Sequence, residues 1–413
     1  MIDLALLRDD PEGIKALIQK KDPSFDVVRL AELDKHVRSL RHVIEDLRSE
    51  KNTLAKQGQQ GVSSEIREKS NKLGDRIKEH EEMLEQSERL FKDLYLRCPN
   101  LLADDVQSGG KESNLVVRQI GVQPTFDFPV KTHVELTKAL GWVDFEAATA
   151  MTASNFALYR NEAVRLHYAL CMFMLNTAQS FGFAPVLPPF LINERALEGA
   201  SNFPRFKEEV YAVEKDGLYL TPTAEVNLAN LYRDTILSEQ ELPIRLTALT
   251  SCFRREAGGY GAAERGLIRI HQFDKVELFT LTKPEESPQE QERMLACAES
   301  ILQKLGLHYR VTLLAAQDCS FASSKTYDIE VWMPGQKEYK EVSSISNCTD
   351  FQARRCAIRC RAAAGEKTRL IHTLNGSSLA LPRLVVALLE TGQRADGSIV
   401  FPEILKSVSV GVS

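Results

Sequence analysis

The chain has 413 residues, 43% hydrophobic and 26% charged, which is typical of a globular protein long enough for two or three domains. No apolar run is long enough to cross a bilayer, and residues 1–10 lack the basic-then-apolar pattern of a secretion signal, so we expect a cytoplasmic protein with no membrane partner. A formal net charge of −5 argues against a protein that coats nucleic acid with its whole surface, but it leaves room for a local basic patch.

The eight cysteines are scattered along the chain. The nearest pair, Cys356 and Cys360, does not have the CxxC spacing of a typical metal or redox motif. We therefore expect neither a disulfide framework nor a zinc site. The cysteines are interpreted as buried or idle thiols.

The N-terminal quarter has the apolar spacing of a coiled coil. A first run of apolar residues at steps of three and four lies between Leu30 and Leu54, and a second lies between Ile66 and Leu94. A glycine-bearing break separates the two runs. Two such helices should fold back on each other, which predicts an antiparallel helical hairpin over about residues 27–98, within an N-terminal domain of residues 1–100.

Charge is unevenly distributed along this hairpin. Basic residues outnumber acidic ones near its tip, whereas the second helix is acidic from Asp75 to Glu88. A basic tip could contact phosphates. The pattern alone is equally compatible with a dimerisation or spacer rod.

Residues 101–125 read as a loop-rich linker, and residues 126–413 read as a second, α+β domain. Helices are predicted at 132–140, 155–180 and 285–305. The second of these helices is apolar on a broad face, which suits a subunit contact. The prolines of the run GFAPVLPPFL, which follows it, predict a strand at a sheet edge or an interface, because proline cannot donate to a ladder.

The most informative stretch is a predicted hairpin over residues 250–279. Its first strand has Cys252, Arg254 and Glu256 on one face, and a glycine-rich turn around Gly258, Gly259 and Gly261 follows. The second strand alternates an apolar face with a face that carries Arg269, His271, Phe273, Lys275 and Glu277. That face suits a planar, anionic, amine-bearing ligand such as a nucleotide with an amino acid; a solvated strand face is the alternative.

Two further segments carry candidate ligand contacts. Residues 218–226 read as a strand on which Thr223 and Glu225 point the same way, although this pattern is common on protein surfaces. A later strand carries Glu341 and Ser344, which face opposite ways if the strand is regular. Their carboxylate and hydroxyl oxygens suit magnesium.

The segment 372–390 runs from a turn into an apolar helix. Ser377 or Ser378 is expected to cap this helix, and Pro382 is tolerable only near its first turn. The first-turn amides, together with Arg383, could attract a triphosphate.

Four runs of sequence carry a family resemblance. In chain order they are LTPTAEVNL, FRREAG, RGLIRIHQFDKVEL and HTLNGSSLALPR. They closely resemble seryl-tRNA synthetases of the bacterial type, which are class II aminoacyl-tRNA synthetases, and the resemblance covers nearly the whole chain. It implies an α+β catalytic core, built on an antiparallel β-sheet with helices, and an N-terminal antiparallel coiled-coil arm.

The resemblance also implies an activity and partners. L-serine would be activated with ATP to seryl-adenylate, and the seryl group would pass to the 3′ end of tRNA(Ser), with tRNA(Sec) as a further candidate. The implied assembly is a homodimer with Pro189 at its interface, in which the arm grips the long variable arm of the tRNA from across the dimer.

Residue roles follow from the same resemblance. The implied serine-binding residues are Thr223, Glu225, Arg254, Glu277 and Ser377. The implied ATP-binding residues are Arg254, Glu256, Phe273, Glu341, Ser344 and Arg383, of which Arg254, Glu341 and Arg383 are the catalytic set. Mg²⁺ would be held by Glu341 and Ser344, which requires a bulge or a strand end between them.

The chain departs from the family at two positions and leaves three alternatives. The family more often has glycine where this chain has Ser378 and Pro382, which leaves the local backbone open. A paralogue that loads an amino acid onto a carrier protein would lack the long arm. Synthetases for threonine or proline are disfavoured by the TAE, HQFDKVE and NGSS runs together. A non-catalytic tRNA-binding protein with a dead ligase core would be expected to have lost a charged site residue, and none is missing.

Overall fold

A computed structural model describes residues 1–58, 63–256 and 266–405. They divide into two compact units, Met1–Pro99 and Asn100–Ser413. The α-helices are α1 Leu4–Asp9, α2 Pro11–Lys21, α3 Val27–Gly58, α4 Ser64–Leu96, α5 His133–Leu140, α6 Phe145–Met151, α7 Glu162–Ser180, α8 Glu194–Gly199, α9 Ala224–Asn230, α10 Ser287–Lys304, α11 Phe351–Cys356 and α12 Leu381–Gly392. The strands are β1 Leu115–Ile120, β2 Val143–Asp144, β3 Leu158–Tyr159, β4 Ala184–Pro185, β5 Leu191–Asn193, β6 Ala212–Val213, β7 Leu218–Leu220, β8 Ile236–Ser238, β9 Ile244–Phe253, β10 Gln272–Thr282, β11 Tyr309–Leu313, β12 Lys325–Met333, β13 Glu338–Asn347, β14 Arg359–Arg361, β15 Arg369–Leu370 and β16 His372–Ala380.

The first unit is dominated by the paired helices α3 and α4. Ion pairs tie the two helices together, with 2.7 Å between Arg41 Nη2 and Glu88 Oε1 and 2.7 Å between Arg48 Nη2 and Glu81 Oε1. Residue numbers rise on one helix as they fall on the other, so the helices are antiparallel. Between them lies an apolar seam that includes Leu47, Leu73 and Ile77. The predicted helical hairpin is therefore confirmed.

The second unit is built on an eight-stranded sheet with the order β1-β11-β12-β13-β16-β10-β9-β4. Neighbouring strands are antiparallel except for β4, which pairs parallel with β9. The predicted α+β class with an antiparallel core is confirmed. The proline-containing β4 lies at the sheet edge, as predicted, because proline has no backbone N–H to donate to a second neighbouring strand.

Helices cover both faces of the sheet around its centre. One core packs α7, α10 and α12 against even-numbered β10 residues such as Val276 and Leu278. A second core packs α8, α9 and α11 against Phe279 and Leu281. Because strand side chains alternate, Lys275 and Glu277 share the face of this second core. That face changes from apolar to charged along β10.

Several predicted elements have different boundaries in the structure. The predicted linker 101–125 contains β1, whose β-branched run LVVRQI joins the sheet beside β11. Helix α7 begins at Glu162 and not at Asn155, since Asn155 and Asn161 both have positive φ angles. Arg269 and His271 precede β10, and Arg254 and Glu256 follow β9, so these side chains lie beyond the strands and do not alternate along them. The predicted glycine-rich turn around Gly258, Gly259 and Gly261 lies outside the described residues.

Candidate active site

The charged end of this sheet face opens into a cavity of about 340 Å³. Residues from α9, β10, β13, β16 and α12, and from the segments that flank β9 and β10, contribute to its wall. The predicted site residues that line the cavity are Glu225, Arg254, Glu256, Phe273, Glu277, Glu341, Ser344, Ser377 and Arg383. Thr223 lies directly behind this wall, against Glu277. Four segments far apart in the sequence therefore meet at one site.

Thr223 and Glu225 belong to a helix start, and the predicted strand at this position is wrong. Strand β7 ends at Leu220, and Thr223 is the N-cap of α9, with its hydroxyl accepting a 3.2 Å hydrogen bond from the Glu225 amide. The sequence AEVNLAN that follows forms helix more readily than strand once a threonine caps it. Glu225 still lines the cavity, and Thr223 lies behind its wall at the same end, because they occupy the first turn and the cap.

A buried cluster of Thr223, Lys275 and Glu277 forms one wall. The Thr223 hydroxyl donates to Glu277 Oε2 at 2.8 Å and accepts from Lys275 Nζ at 2.8 Å. Lys275 also forms an ion pair with Glu277. Lys275 is 6% exposed and Glu277 only 1%, so this carboxylate is removed from water together with its counter-charge.

Glu225 is a second carboxylate at the same end. Its Oε1 accepts a 2.7 Å hydrogen bond from Gln352 Nε2 on α11, and Gln352 in turn accepts from the Thr373 hydroxyl at 2.8 Å. Burial and the nearby negative charge of Glu277 raise the pKa of Glu225 to about 7, although Lys275, Gln352 and Arg254 act in the opposite direction. An incoming cation would therefore find a carboxylate that is poised between its two protonation states.

Arg254 and Phe273 form the middle of the cavity. The Arg254 guanidinium carbon lies 5.3 Å from the centroid of the Phe273 ring, and Arg254 Nε donates to the Pro222 carbonyl at 3.1 Å. Beside them Glu256, in a left-handed backbone conformation with φ +51°, forms a 2.5 Å ion pair with Arg269. A cationic plane, an aromatic face and a carboxylate thus adjoin one another.

Glu341 and Ser344 are brought together by an irregularity in β13. Ser343 pairs with Ile329 of β12, but Glu341 pairs with Glu330, so Val342 is an extra residue between them. This bulge is the one that a shared ligand for Glu341 and Ser344 requires, and the prediction of an irregularity there is confirmed.

Asp328 lies opposite Ser344 on β12 and is hydrogen-bonded to it. Burial and the charge of Glu341 hold the pKa of Asp328 well above its usual range, and its Oδ1 atom is buried without a hydrogen-bond partner. Among the described residues, no three His, Cys, Asp or Glu side chains form a complete metal site. A cation here would need additional oxygens from a ligand.

Arg383 closes the cavity from the start of α12. Its Nη1 donates to the Glu341 carbonyl at 2.7 Å and lies 3.5 Å from Glu341 Oε2. Pro382 falls in the first turn, as predicted. The predicted serine cap is wrong: β16 continues to Ala380, which precedes α12 with no side-chain cap, because Ser377 pairs with Glu277 in the sheet.

Lys275, Gln352 and Asp328 contact the predicted site residues, although the sequence predicted no role for them. Lys275 was placed on the charged face of β10 without a function, and its position two residues before Glu277 is the only sequence signal for it. Gln352 and Asp328 carry no recognisable signal, because their contacts with Glu225 and Ser344 depend on the packing of α11 and the register of β12. Residues of this kind become visible only in the folded chain.

The arrangement separates two kinds of chemistry. Carboxylates at one end, from Glu225 and Glu277, suit an ammonium group and a hydroxyl hydrogen. Arg254 in the middle of the cavity and Arg383 beside Glu341 suit phosphates or a carboxylate, and the Phe273 ring next to Arg254 suits a planar base. The cavity can therefore place an amino acid carboxylate beside a nucleotide phosphate.

Comparison with known proteins identifies the family. Residues 1–102 match the model of the seryl-tRNA synthetase N-terminal domain, and residues 207–392 match the model of the class II tRNA synthetase core domain (G, H, P, S and T). A serine–tRNA ligase of Chlamydia felis is 44% identical over 416 residues, covering 98% of this chain and 97% of the relative. The chain belongs to the seryl-tRNA synthetase family. A serine–tRNA ligase of Desulforapulum autotrophicum is 41% identical, with the same coverage of both chains.

Solved seryl-tRNA synthetases have the same fold. The crystal structure of the Pyrococcus horikoshii enzyme complexed with ATP gives a TM-score of 0.92 at 35% identity, covering 99% of this chain and 98% of that one. The cytoplasmic serine–tRNA ligase of Naegleria fowleri in complex with AMP gives a TM-score of 0.85 at 27% identity, covering 100% of this chain and 97% of that one. A Giardia lamblia prolyl-tRNA synthetase, at 17% identity and a TM-score of 0.57, shares the fold alone.

Family membership establishes the enzyme class. The chain is a class II aminoacyl-tRNA ligase that depends on a nucleotide, and the resemblance drawn from its motifs is confirmed. The alternative of a carrier-protein paralogue gains no support, since the match includes the N-terminal arm. No helix in the described part of the chain is long and apolar enough to cross a membrane.

Proposed function

We propose that the cavity activates L-serine with ATP and then transfers the seryl group to the 3′-terminal ribose of tRNA(Ser). The observation that carries this proposal is that Glu225 and Glu277 line the same cavity as Arg254 and Arg383. This combination fits a substrate pair that carries an ammonium group and a triphosphate.

The amino acid occupies the carboxylate end. Glu225 accepts from the ammonium group of serine, and Thr223, whose hydroxyl is already bonded to Glu277, Lys275 and the Glu225 amide, supports this end of the cavity from behind. Glu277 accepts the hydroxyl hydrogen of the serine side chain, and Ser377, paired with Glu277 across β10 and β16, lies beside it. A site built to bind a hydroxyl leaves its own polar groups unpaired when alanine enters, so it can discriminate by roughly 10⁴ to 10⁵.

The nucleotide occupies the part of the cavity that extends from Arg254 and Phe273 to Arg383. Phe273 stacks on the adenine, Glu256 accepts from the adenine amino group, Arg254 binds the α-phosphate together with the serine carboxylate, and Arg383 binds the γ-phosphate. The Arg254 guanidinium already lies against the Phe273 ring, so the base and the α-phosphate would share one preorganised corner.

Glu341 and Ser344 are the proposed Mg²⁺ ligands, with the remaining oxygens supplied by the phosphates and water. The donor set fits, because both residues present hard oxygens and the adjoining buried Asp328 Oδ1 has no partner. When bound, the ion would neutralise phosphate charge.

The reaction needs no covalent nucleophile on the protein. A serine carboxylate oxygen bonds to the α-phosphorus while the bond from that phosphorus to the pyrophosphate oxygen breaks, giving seryl-adenylate and pyrophosphate. A ribose hydroxyl of the tRNA then attacks the seryl carbonyl carbon, and AMP leaves with the bonding electrons. The role of the side chains is to hold the reactants in line and to offset negative charge.

We further propose that residues 1–100 form a tRNA-binding domain and residues 126–413 the catalytic domain. The basic tip of the arm would bind phosphates of the long variable arm of tRNA(Ser), and of tRNA(Sec) where that tRNA is present. Supporting this, Lys69 and Lys72 are mostly exposed, and within the described part of the chain their ion pairs are with glutamates one turn away on the same helix, which are weak, exchangeable partners.

The same proposal includes a homodimer. Along α7, Val164, Tyr168 and Met172 recur at steps of four and are all exposed, Tyr168 by 56%. The segment that contains Pro189 adds exposed apolar side chains, with Leu187 exposed by 83%. An apolar surface of this kind favours burial against a second copy of the chain.

The role of Glu277 tests the assignment of the amino acid end. Glu277→Ala should raise the KM for serine by on the order of 10²-fold in ATP–pyrophosphate exchange, because the serine hydroxyl loses its acceptor and Lys275 its counter-charge. The KM for ATP should change by less than about threefold. A matched control is Glu299→Ala, which removes another buried carboxylate, paired with Arg118, that lies outside the cavity wall. Equal increases in the KM for serine and the KM for ATP in Glu277→Ala would contradict the assignment.

A further inference from the structure

Lys275 lies at the centre of the amino acid end of the cavity. It is in the middle of β10, where its backbone pairs with Thr250 of β9 on one side and Ala380 of β16 on the other. Its side chain is 6% exposed and lines the cavity wall. A lysine held in this way in the interior of a sheet has little freedom to leave its position.

The hydrogen bonds of Lys275 fix the direction of a neighbouring proton. An ammonium group can only donate, so the Thr223 hydroxyl must accept from Lys275 Nζ, at 2.8 Å. That leaves the Thr223 hydrogen to point at Glu277 Oε2, 2.8 Å away. The same Glu277 oxygen also pairs with the ammonium group. One Glu277 oxygen is thus saturated, and its other oxygen is left for the cavity.

The charges at this end of the cavity also depend on Lys275. The groups that face Glu225 are the carboxylate of Glu277, the cations of Lys275 and Arg254, and the neutral amide of Gln352. Lys275 is in direct contact with Glu277, and it offsets the mutual repulsion of the two carboxylates. Removing its charge would leave Glu277 buried without a counter-charge.

We propose that Lys275 is a positioning and specificity-determining residue for the amino acid substrate. Its ammonium group orients the Thr223 hydroxyl and holds the Glu277 carboxylate in line to accept the hydroxyl hydrogen of serine. Lys275 acts through these two neighbours and does not touch the reacting atoms. This inference rests on the proposed function, since it requires Glu277 to contact serine.

Two consequences separate this role from a merely structural one. Without the charge of Lys275, the serine KM should rise while the ATP KM stays nearly constant, and the preference for serine over alanine should fall. The pH at which the serine KM changes should also move upward, because Lys275 is one of the cations that lower the pKa of Glu225.

The experiment compares Lys275→Gln with Lys275→Arg in ATP–pyrophosphate exchange, with unmodified full-length enzyme as reference. Glutamine keeps a hydrogen-bond donor but no charge, and arginine keeps the charge in a different shape. We expect Lys275→Gln to raise the serine KM by on the order of 10²-fold and to shift the pH midpoint upward. We expect the serine KM of Lys275→Arg to stay within about tenfold of that of the unmodified enzyme, with the pH midpoint unchanged.

A double variant keeps the test decisive even if Lys275→Gln does not fold. In Lys275→Gln combined with Glu277→Gln, two neutral amides replace the ion pair, so no buried charge is left unpaired. If Lys275 acts through Glu277, the double variant and Glu277→Gln alone should have serine KM values within about threefold of each other. A further loss in the double variant would show that Lys275 acts independently of Glu277 and would overturn the proposal.

The remaining outcomes are equally definite. A Lys275→Gln enzyme with an unchanged serine KM and pH midpoint, or with equal losses for serine and ATP, overturns the role of Lys275. If the unmodified enzyme shows no exchange stimulated by serine, the proposed function fails, and the role of Lys275 in binding serine falls with it. The two failures are therefore distinguishable.

Discussion

At the scale of single residues, the two carboxylates of the amino acid end have different environments. Glu277 is held by a buried lysine and a threonine hydroxyl, whereas Glu225 has a neutral amide partner, and its pKa is raised to about 7 by burial and by Glu277. Glu225 is therefore partly protonated at neutral pH until a cation enters. This difference predicts that serine binding depends on pH and that the dependence resides in Glu225.

The first residue-scale prediction concerns Glu225→Gln. Only ionised Glu225 attracts the serine ammonium group, so the serine KM of the unmodified enzyme should increase as the pH falls below about 7, by up to tenfold per pH unit. Glu225→Gln should have a high serine KM that no longer changes between pH 6 and pH 8, measured by ATP–pyrophosphate exchange. The ATP KM serves as an internal control. A variant that keeps the original pH profile would show that a group other than Glu225 causes the pH dependence of the serine KM.

The same pKa predicts a change in stability. Because the folded-state pKa of Glu225 lies above the ordinary value of 4.5, this group favours folding at low pH, and the contribution is lost as the pH rises towards about 7. Without substrate, the effect of Glu225→Gln on the free energy of unfolding, relative to the unmodified enzyme, should therefore be more favourable at pH 8 than at pH 5. The difference between the two pH values should be at most roughly 3 kcal/mol. Urea unfolding at the two pH values measures this difference. A variant that is equally destabilised at both would contradict it.

At the scale of elements, local pattern and long-range pairing contribute differently. The heptads of α3 and α4 are local, and the hairpin could be predicted from them. The spacing of two between the polar residues Thr223 and Glu225 fits the period of a strand, but a threonine cap followed by AEVNLAN forms a helix. Ser377 resembles a cap in sequence, yet it pairs with Glu277 in the sheet, a contact between segments 100 residues apart. The bulge at Val342 was predictable because two oxygen ligands had to share a face.

The arm provides the element-scale prediction. Arg41 pairs with Glu88, so residues 37 and 90 lie at nearly the same level of the hairpin. If the hairpin beyond this level is removed, a short glycine linker can join the two helices. Deleting residues 37–90 in this way should leave serine-dependent ATP–pyrophosphate exchange within about threefold, because no residue of the cavity is removed. Charging of tRNA(Ser) should fall by at least about 10²-fold, because phosphate contacts are lost. Charging that survives the deletion would make the arm a spacer.

At the scale of the whole molecule, the active site results from the strand order of one sheet. Glu225, Arg254, Glu277, Glu341 and Arg383 are spread over about half of the second unit, and they meet because β13, β16, β10 and β9 are neighbours in that order. Periodicity could indicate which residues face a ligand, and family resemblance could indicate which roles they take. Neither could supply Lys275, Gln352 or Asp328, because their contacts follow from register and packing between distant segments.

The central claim is that this cavity selects serine and activates it. Stimulation of ATP–pyrophosphate exchange by serine, alanine, threonine and glycine, each with the same purified full-length enzyme, tests that claim most directly. We predict that serine stimulates exchange with a kcat/KM about 10⁴-fold or more above that of alanine, because Glu277 and Ser377 need a hydroxyl partner. Exchange driven as well by alanine or threonine as by serine would contradict the assigned specificity, and no exchange with any of the four would contradict activation itself.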